Sequence, residues 1–187
     1  MVKKICIMGA GNGGFAAAAD LTLRGYEITL YEDERFAESI RGIRDDGIIH
    51  VDGVGPVGEA KIHKITTDLA DALSDVDLVM PISPAYAQEA VANSLVPHIK
   101  EGMVICLTPG SCGGSLVYAK VFHENGVYDK VKLCEMATLP YATRKINDHT
   151  VRILLETKLL YFAAFPAKNN QELFDLIKPI YPKLDLV

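Results

Sequence analysis

The sequence contains no tryptophan, no excess of basic residues and no long apolar run. Its 19 lysines and arginines stand against 24 aspartates and glutamates, which gives a formal net charge of −5. This balance lacks the basic surface that nucleic acids and anionic membranes attract, so we predict neither partner. No run reaches the roughly 18 apolar residues of a membrane span. A hydrophobic fraction of 49% over 187 residues predicts one soluble domain, which we place in the cytoplasm.

The four cysteines and five histidines also lack the spacings that bind metal ions. There is no CxxC, CxxH, HxH or HxxxH pattern, so we predict no metal site. Three of the cysteines, Cys6, Cys106 and Cys134, lie in apolar, strand-like runs, which indicates buried reduced thiols. A chain of this length buries roughly 70% of its unfolded surface and needs no disulfide to hold its core.

Short apolar runs alternate along the chain with amphipathic segments. Nearly continuous apolar strands that alternate with helices are typical of a parallel sheet covered on both faces. We therefore predict an α/β fold of the Rossmann-type, doubly wound, mainly parallel kind. The predicted strands are 4–8, 27–31, 77–82, 103–107 and 131–136, and the predicted helices are 13–24, 33–45, 68–74, 85–97 and 113–125.

Two stretches interrupt this alternation. Residues 47–67 carry turn glycines between strand-like pieces, which predicts an inserted hairpin. Residues 149–165 look like two extra C-terminal strands that turn near Thr157, and a helix at about 168–178 follows. Because the sequence closes on the apolar residues 184–187, we expect either that the natural polypeptide continues or that this face docks on something.

A glycine-rich turn follows the first predicted strand and fits the pattern GxGxxG. Gly9 would permit the tight turn, Gly11 would let a pyrophosphate approach the backbone, and Gly14 would let the next helix pack against the sheet. Free N–H groups at the positive end of that helix would then receive phosphates. The predicted dinucleotide contacts in this turn are Gly9, Ala10, Gly11, Asn12, Gly13 and Gly14.

Glu32, at the end of the second predicted strand, governs the predicted choice of cofactor. A carboxylate there can accept both hydroxyl groups of the adenosine ribose, and it would repel a 2′-phosphate. NAD is therefore favoured over NADP, although Arg35, Arg41 and Arg44 lie close by in the sequence. Two alternatives stay open: FAD, which uses a similar turn in longer chains, and a glycine turn that binds no nucleotide.

Two later loops follow predicted strands, at the sheet edge where open α/β sheets bind ligands. Ser83 and Pro84 come after the third strand, and Ser83 could either cap the next helix or line the dinucleotide groove. Thr108, Pro109 and Gly110 come after the fourth strand, near the expected nicotinamide end. We predict all five residues as cofactor contacts.

The remaining candidates concern substrate and nucleophile. Ser111 does not fit the GxSxG nucleophile pattern, and Cys112 near a helix start could be a reactive thiol, but a flexible cofactor or substrate loop is the simpler interpretation. Glu135 could contact substrate or pair with a lysine or arginine. Tyr141 and Arg144 could orient a carboxylate substrate, or they could form a surface turn.

Four segments together resemble the octopine/nopaline (opine) dehydrogenase family: GAGNGGFAAAADLTLRGYEITLYE, ISPAY, TPGSCGG and the stretch over residues 135–144. The likeness covers nearly all 187 residues but only the N-terminal, NAD(P)-binding half of that family. It implies that the whole enzyme uses NAD(P)H to condense an amino acid with a 2-oxo acid. The first segment also resembles ketopantoate reductases, so a 2-oxo-acid reductase stays open, as does a non-catalytic nucleotide-sensing module.

The resemblance also implies what residues 1–187 do not contain. In that family the acid/base histidine and its carboxylate partner belong to a C-terminal helical domain, and no segment here matches it. We therefore expect residues 1–187 to form one dinucleotide-binding domain that is inactive alone, and we assign no catalytic residue. A C-terminal domain or a partner chain would complete the enzyme, and a homo-oligomer stays open.

Overall fold

The computed structural model describes residues 2–111 and 113–187. The strands are β1 (Lys4–Met8), β2 (Glu27–Tyr31), β3 (Ile48–Gly53), β4 (Gly58–Lys61), β5 (Lys64–Thr66), β6 (Leu78–Pro81), β7 (Met103–Leu107), β8 (Val131–Met136), β9 (Tyr141–Asn147), β10 (Thr150–Glu156), β11 (Leu160–Phe165) and β12 (Leu184–Leu186). The α-helices are α1 (Asn12–Leu23), α2 (Leu69–Ala72), α3 (Gln88–Leu95), α4 (Gly114–Glu124) and α5 (Asn170–Ile177). Short 3-10 helices cover Glu34–Ile43, Ala85–Ala87, Val96–His98, Tyr128–Lys130 and Ala167–Asn169.

The described chain divides into two compact units. The first unit consists of Val2–Asp77 and Tyr141–Thr157, and the second unit consists of Leu78–Pro140 and Lys158–Val187. Within residues 2–111 and 113–187, no helix has both the length and the apolar character needed to cross a membrane.

The first unit contains two sets of strands. Strands β1, β2 and β5 pair in parallel in that order, and a four-stranded sheet has the order β4-β3-β10-β9. Helix α1 contacts β1 and β2 as well as all four strands of the second sheet. It is therefore covered on several sides, and residues 16–19, all alanines, are fully buried. Small side chains let a helix in such a position lie close to both sheets.

The second unit is built on strands in the order β12-β11-β8-β7-β6. The pairs β6–β7 and β7–β8 are parallel, β11 runs antiparallel to β8, and β12 runs parallel to β11. Aromatic side chains of Phe122 and Phe162 fill its core. The predicted α/β fold with a mainly parallel sheet is thus confirmed.

Buried thiols were predicted at three positions, and all three are found. Cys6, Cys106 and Cys134 are free and buried. Burial raises the pKa of Cys6 to about 12, and it also raises the pKa of Cys134. The fourth cysteine, Cys112, which we considered as a reactive thiol, lies outside the described residues.

The α-helix predicted at 33–45 is wrong. The segment Glu34–Ile43 is a 3-10 helix that is interrupted at Phe36, whose φ is −119°. The side chain of Asp33 accepts a hydrogen bond from the N–H of Arg35, only two residues later, at 2.9 Å. Such a local side-chain bond competes with the first turn of an α-helix.

Several strands pair with partners that the sequence did not indicate. Strands β3 and β4 do form the predicted antiparallel hairpin, but β10 pairs in parallel with β3 and so extends it into a larger sheet. Strands β10 and β11, predicted as neighbours that turn near Thr157, do not pair with each other, because β10 joins β9 and β3 while β11 joins β8 and β12.

Two strands were missed. Tyr141 and Arg144, considered as part of a surface turn, lie in β9, which pairs antiparallel with β10. The apolar residues near the end of the sequence form β12, whose Leu184 is opposite Leu160 and is buried. The apolar character of that segment is therefore explained by packing inside the second unit.

Candidate functional site

The glycine turn of the first unit has the geometry that the GxGxxG pattern predicts. Gly9 has a φ of +105°, a conformation that side chains disfavour, and its N–H donates to the carbonyl of Tyr31 at 2.9 Å. At Gly14 an added Cβ would overlap the carbonyl oxygen of Gly9. At Gly11, in contrast, an added Cβ would meet no protein atom within 4 Å. The protein itself does not require a glycine at Gly11, whereas a ligand that approaches the backbone there would.

Helix α1 begins at this turn without a side-chain cap from its N-cap residue. Gly11 is the N-cap residue and supplies no side-chain hydrogen bond, and no acidic residue lies in the first turn. The N–H groups and the positive end of the helix dipole are therefore not compensated locally. This arrangement suits a phosphate group, and the open space at Gly11 gives it access.

The carboxylate of Glu32 lies beside the glycine turn. Its Oε2 accepts hydrogen bonds from the N–H of Ala10 at 2.7 Å and from the hydroxyl of Ser39 at 3.2 Å. Its Oε1 accepts from the N–H of Asp33 at 2.9 Å. A carboxylate has about four acceptor positions, so Oε1 retains capacity for a further donor such as a ribose hydroxyl.

Arg35 is bound to a neighbouring acid rather than free. Its Nε and one terminal nitrogen donate to the two oxygens of Asp33, at 2.8 and 2.9 Å. The hydrogen-bonded guanidinium lowers the pKa of the Asp33 carboxyl. Arg41, the second arginine near Glu32 in the sequence, forms a salt bridge with Glu38 at 2.8 Å.

Two residues close to this site were missed by the sequence reasoning. Ser39 bonds Glu32, and the backbone N–H of Lys145, on β9, donates to the side-chain oxygen of Asn12 at 2.8 Å. The pair Asn12 and Lys145 is 133 positions apart, and no local pattern marks it.

The structure places the other predicted cofactor residues in the second unit. Ser83 and Pro84 follow β6, and Pro84 rather than Ser83 stands at the N-cap of the next 3-10 helix, with no side-chain bond. The interpretation of Ser83 as a helix cap is therefore wrong, because the helix begins one residue later. Its alternative role, as a groove-lining residue, stays a prediction.

The loop that opens with Thr108 is tied to its surroundings. Thr108 is buried, and its N–H donates to the carbonyl of Pro81 at 3.0 Å. The side-chain amide of Gln88 donates to the carbonyl of Gly110 at 3.1 Å, while a Cβ on Gly110 would overlap Glu135. The backbone of this loop is thus fixed by neighbours on several elements. Ser111, the next residue, has a φ of +52°.

Glu135 caps helix α4. Its carboxylate accepts from the N–H of Gly113 at 3.0 Å, and from both the N–H, at 2.7 Å, and the hydroxyl of Ser115. A negative charge at a helix N-terminus is favourable. The ion pair with a lysine or arginine that the sequence left open is not formed within residues 2–111 and 113–187.

Tyr141 and Arg144 both lie on β9 but have different environments. Tyr141 is buried and its hydroxyl donates to Asp20 at 2.6 Å, whereas Arg144 is exposed. The interpretation of these residues as a surface turn is wrong, since they belong to a paired strand. Their role toward a substrate stays a prediction.

Comparison with known proteins identifies the family of the chain. A family model described as ketopantoate reductase PanE/ApbA matches residues 5–135. The chain belongs to this family. The opine dehydrogenase of Arthrobacter sp. (strain 1C) is 30% identical over 181 residues, which cover 97% of this chain and 50% of that protein. The chain therefore spans about half the length of this relative, and the predicted kinship with the N-terminal half of opine dehydrogenases is confirmed.

Solved structures of the same group have the same fold. Octopine dehydrogenase bound to NADH and pyruvate is 20% identical and aligns over 99% of this chain and 50% of that chain, with a TM-score of 0.79. Yersinopine dehydrogenase with NADP+ bound is 17% identical and aligns over 100% of this chain and 47% of that chain, with a TM-score of 0.73. The Rossmann-type fold predicted for this member of the family is confirmed.

Proposed function

We propose that this chain is the NAD(P)-binding part of an opine-type dehydrogenase and that residues 1–187 form its dinucleotide-binding domain. The observation that carries the proposal is the hydrogen bond between Glu32 and the N–H of Ala10, beside open space at Gly11. It brings an acceptor for ribose hydroxyls next to an uncapped helix end that suits phosphate. A bound nicotinamide supplies the hydride chemistry, and the protein binds and orients it.

Each unit carries its own proposed contacts. In the first unit the glycine turn receives the pyrophosphate and Glu32 receives the adenosine ribose. In the second unit the proposed contacts belong to the loops after β6 and β7. The proposed residues are Gly9, Ala10, Gly11, Asn12, Gly13, Gly14 and Glu32, together with Ser83, Pro84, Thr108, Pro109 and Gly110.

NAD is the proposed cofactor, with NADP disfavoured. Both cofactors occur among structural relatives, since octopine dehydrogenase was solved with NADH and yersinopine dehydrogenase with NADP+. Here Glu32 is acidic, and the nearby guanidinium of Arg35 is already bound by Asp33. At Glu32, Asp33 and Arg35, a 2′-phosphate would therefore be repelled by the carboxylate of Glu32 and would meet an arginine whose charge Asp33 already compensates.

The proposed reaction of the complete enzyme is reductive condensation of an amino acid with a 2-oxo acid. Octopine dehydrogenase structures contain L-arginine or pyruvate together with NADH. The acid/base residues would belong to the half of the relatives that this chain does not span. Of the substrate candidates, Arg144 is exposed, while Glu135 and Tyr141 bind Ser115 and Asp20.

Titration of the chain with NADH, followed by coenzyme fluorescence, tests the proposal directly. We expect binding well below millimolar concentration and weaker binding of NADPH. Glu32→Gln keeps one acceptor oxygen but removes the charge. It should therefore lower the affinity for NADH about tenfold and reduce the ratio of the affinity for NADH to that for NADPH. Glu34→Gln, an exposed neighbour, is the matched control and should leave both affinities unchanged. Failure of the wild-type chain to bind NADH below millimolar concentration would overturn the proposal.

Substrate assays distinguish the two enzymatic hypotheses, an opine-type dehydrogenase and a 2-oxo-acid reductase. The chain is combined with the polypeptide that completes it and assayed with NADH and pyruvate, with and without added amino acids. An opine-type enzyme needs the amine, whereas a ketopantoate-reductase-like 2-oxo-acid reductase oxidises NADH with the oxo acid alone. Turnover without an amino acid would therefore favour the second hypothesis.

A further inference from the structure

Lys145 holds a positive charge beside the glycine turn of the first unit. Its backbone N–H bonds the side chain of Asn12, the first residue of α1. Its Nζ donates to the carbonyl of Ser39 at 2.6 Å and lies 4.0 Å from the centre of the Phe15 ring. Strand β9 thereby brings an ammonium group to the N-terminal end of α1, although the two segments are far apart in sequence.

Among residues 2–111 and 113–187, this ammonium group has one hydrogen-bond acceptor. An ammonium has three N–H donors; the carbonyl of Ser39 accepts one of them, and the ring of Phe15 attracts the charge. Glu32 and Asp148 act on it electrostatically, yet neither forms a salt bridge with it within the described part of the chain. Burial lowers the pKa of Lys145, because a half-buried ammonium group loses part of its hydration.

Ser39 links this cation to the acid of the site. Its carbonyl accepts from Lys145, and its hydroxyl donates to Glu32. One residue therefore fixes a cation and an anion beside the same uncapped helix end. A dinucleotide carries the matching groups, because its ribose hydroxyls need an acceptor and its phosphates need a cation.

We propose that Lys145 is a further cofactor-binding residue, whose ammonium group contacts a phosphate oxyanion of the dinucleotide. The inference rests on the proposed function and adds to it a contact from β9, outside the glycine-turn motif. The phosphate is either the pyrophosphate, which NADH and NADPH share, or the 2′-phosphate, which NADPH alone carries. A purely structural role for the side chain is the competing explanation, although the bond from the backbone N–H to Asn12 already holds β9 without it.

Lys145→Met tests the contact because it keeps the alkyl chain and removes the charge. Dissociation constants for NADH and NADPH are measured over a series of salt concentrations. We expect binding about tenfold weaker than wild type and a shallower dependence on salt, since one cation–phosphate contact is lost. Equal losses for both cofactors assign the pyrophosphate, and a loss for NADPH alone assigns the 2′-phosphate. Lys145→Arg should restore most of the affinity.

Two controls separate the possible failures. Lys3→Met removes an exposed charge from the same unit and should leave affinity and salt dependence unchanged. If the wild-type chain binds neither cofactor, the proposed function itself fails. If the wild type binds but Lys145→Met has the same affinities and salt dependence, only the inference about Lys145 is overturned. Should Lys145→Met fail to fold, Lys145→Gln gives the same comparison.

Discussion

The hydroxyl group of Tyr141 donates a hydrogen bond to the carboxylate of Asp20 at 2.6 Å, across 121 positions of sequence. Asp20 is buried in α1, and it also accepts from Arg24, one turn later, at 2.7 Å. A buried carboxylate needs such partners, because desolvation of an unpaired charge is costly. The bond thus joins β9 to α1, the helix that begins at the glycine turn.

Tyr141→Phe should therefore destabilise the protein by about 2 kcal/mol, since it removes a hydrogen bond to a charged group and leaves the ring in place. Urea unfolding at neutral pH measures the change. Tyr86→Phe is the control, because Tyr86 is 90% exposed and should change little. Equal stabilities for the two variants would contradict the assigned role of Tyr141.

Substitution by alanine should affect different properties at Gly11 and Gly14: the affinity for NADH at Gly11 and the stability of the fold at Gly14. Gly14→Ala places a Cβ against the carbonyl of Gly9, so we expect a loss of about 3 kcal/mol or more in unfolding free energy. Gly11→Ala meets no protein atom and has an ordinary φ of −69°, so stability should change by less than about 0.5 kcal/mol. Only the latter variant should fold normally and bind NADH more weakly. Unimpaired NADH binding by Gly11→Ala would remove Gly11 from the site.

The parts of the fold that follow from local pattern were predictable from the sequence. Strands β1, β2 and β7 are short, apolar and buried, and the glycine turn has its own signature, so their positions agree with prediction. The placement of Glu32 beside the turn also follows, because parallel pairing of β1 with β2 brings the ends of these strands together.

The parts that depend on distant partners were not predictable. Strand β9 lies beside β10 at the edge of its sheet, and its exposed polar residues resemble a turn until that partner is known. Glu135 was considered as a substrate contact because it lies at the end of the strand 131–136, at the edge where ligands bind, and no local pattern indicates that it caps α4. Lys145 carries no local signal at all, since its neighbours Ser39 and Asn12 lie more than 100 positions away.

Asp77 should contribute to acid sensitivity. The backbone N–H groups of Lys4 and Lys3 donate to its carboxylate, at 2.9 and 2.8 Å, and these bonds lower its pKa. A carboxyl group whose pKa is lower in the folded state stabilises the fold above its unfolded value of about 3.9, and this contribution is lost as the pH falls through the folded value.

Asp77→Asn keeps an acceptor oxygen for both N–H groups but cannot titrate. Its stability, measured by urea unfolding between pH 2 and pH 7, should fall less steeply with acid than that of the wild type. At neutral pH it should be the less stable protein, and near pH 2 the difference should shrink. Asp45→Asn, at an exposed position, is the control. If the free energy of unfolding falls with acid equally steeply in Asp77→Asn and in the wild type, these hydrogen bonds do not favour the charged form of Asp77 over its neutral form.

Glu135 should act as a structural cap of α4 whatever its relation to substrate. Glu135→Ala leaves the N–H groups of Gly113 and Ser115 without their acceptor, and we expect a loss of about 2 kcal/mol. Glu135→Gln retains one side-chain oxygen and should lose less. Glu124→Ala, at the exposed far end of α4, provides the comparison and should cost under about 0.5 kcal/mol. A residue that served substrate alone would leave thermal unfolding unchanged, so equal stabilities of Glu135→Ala and Glu124→Ala would refute the cap.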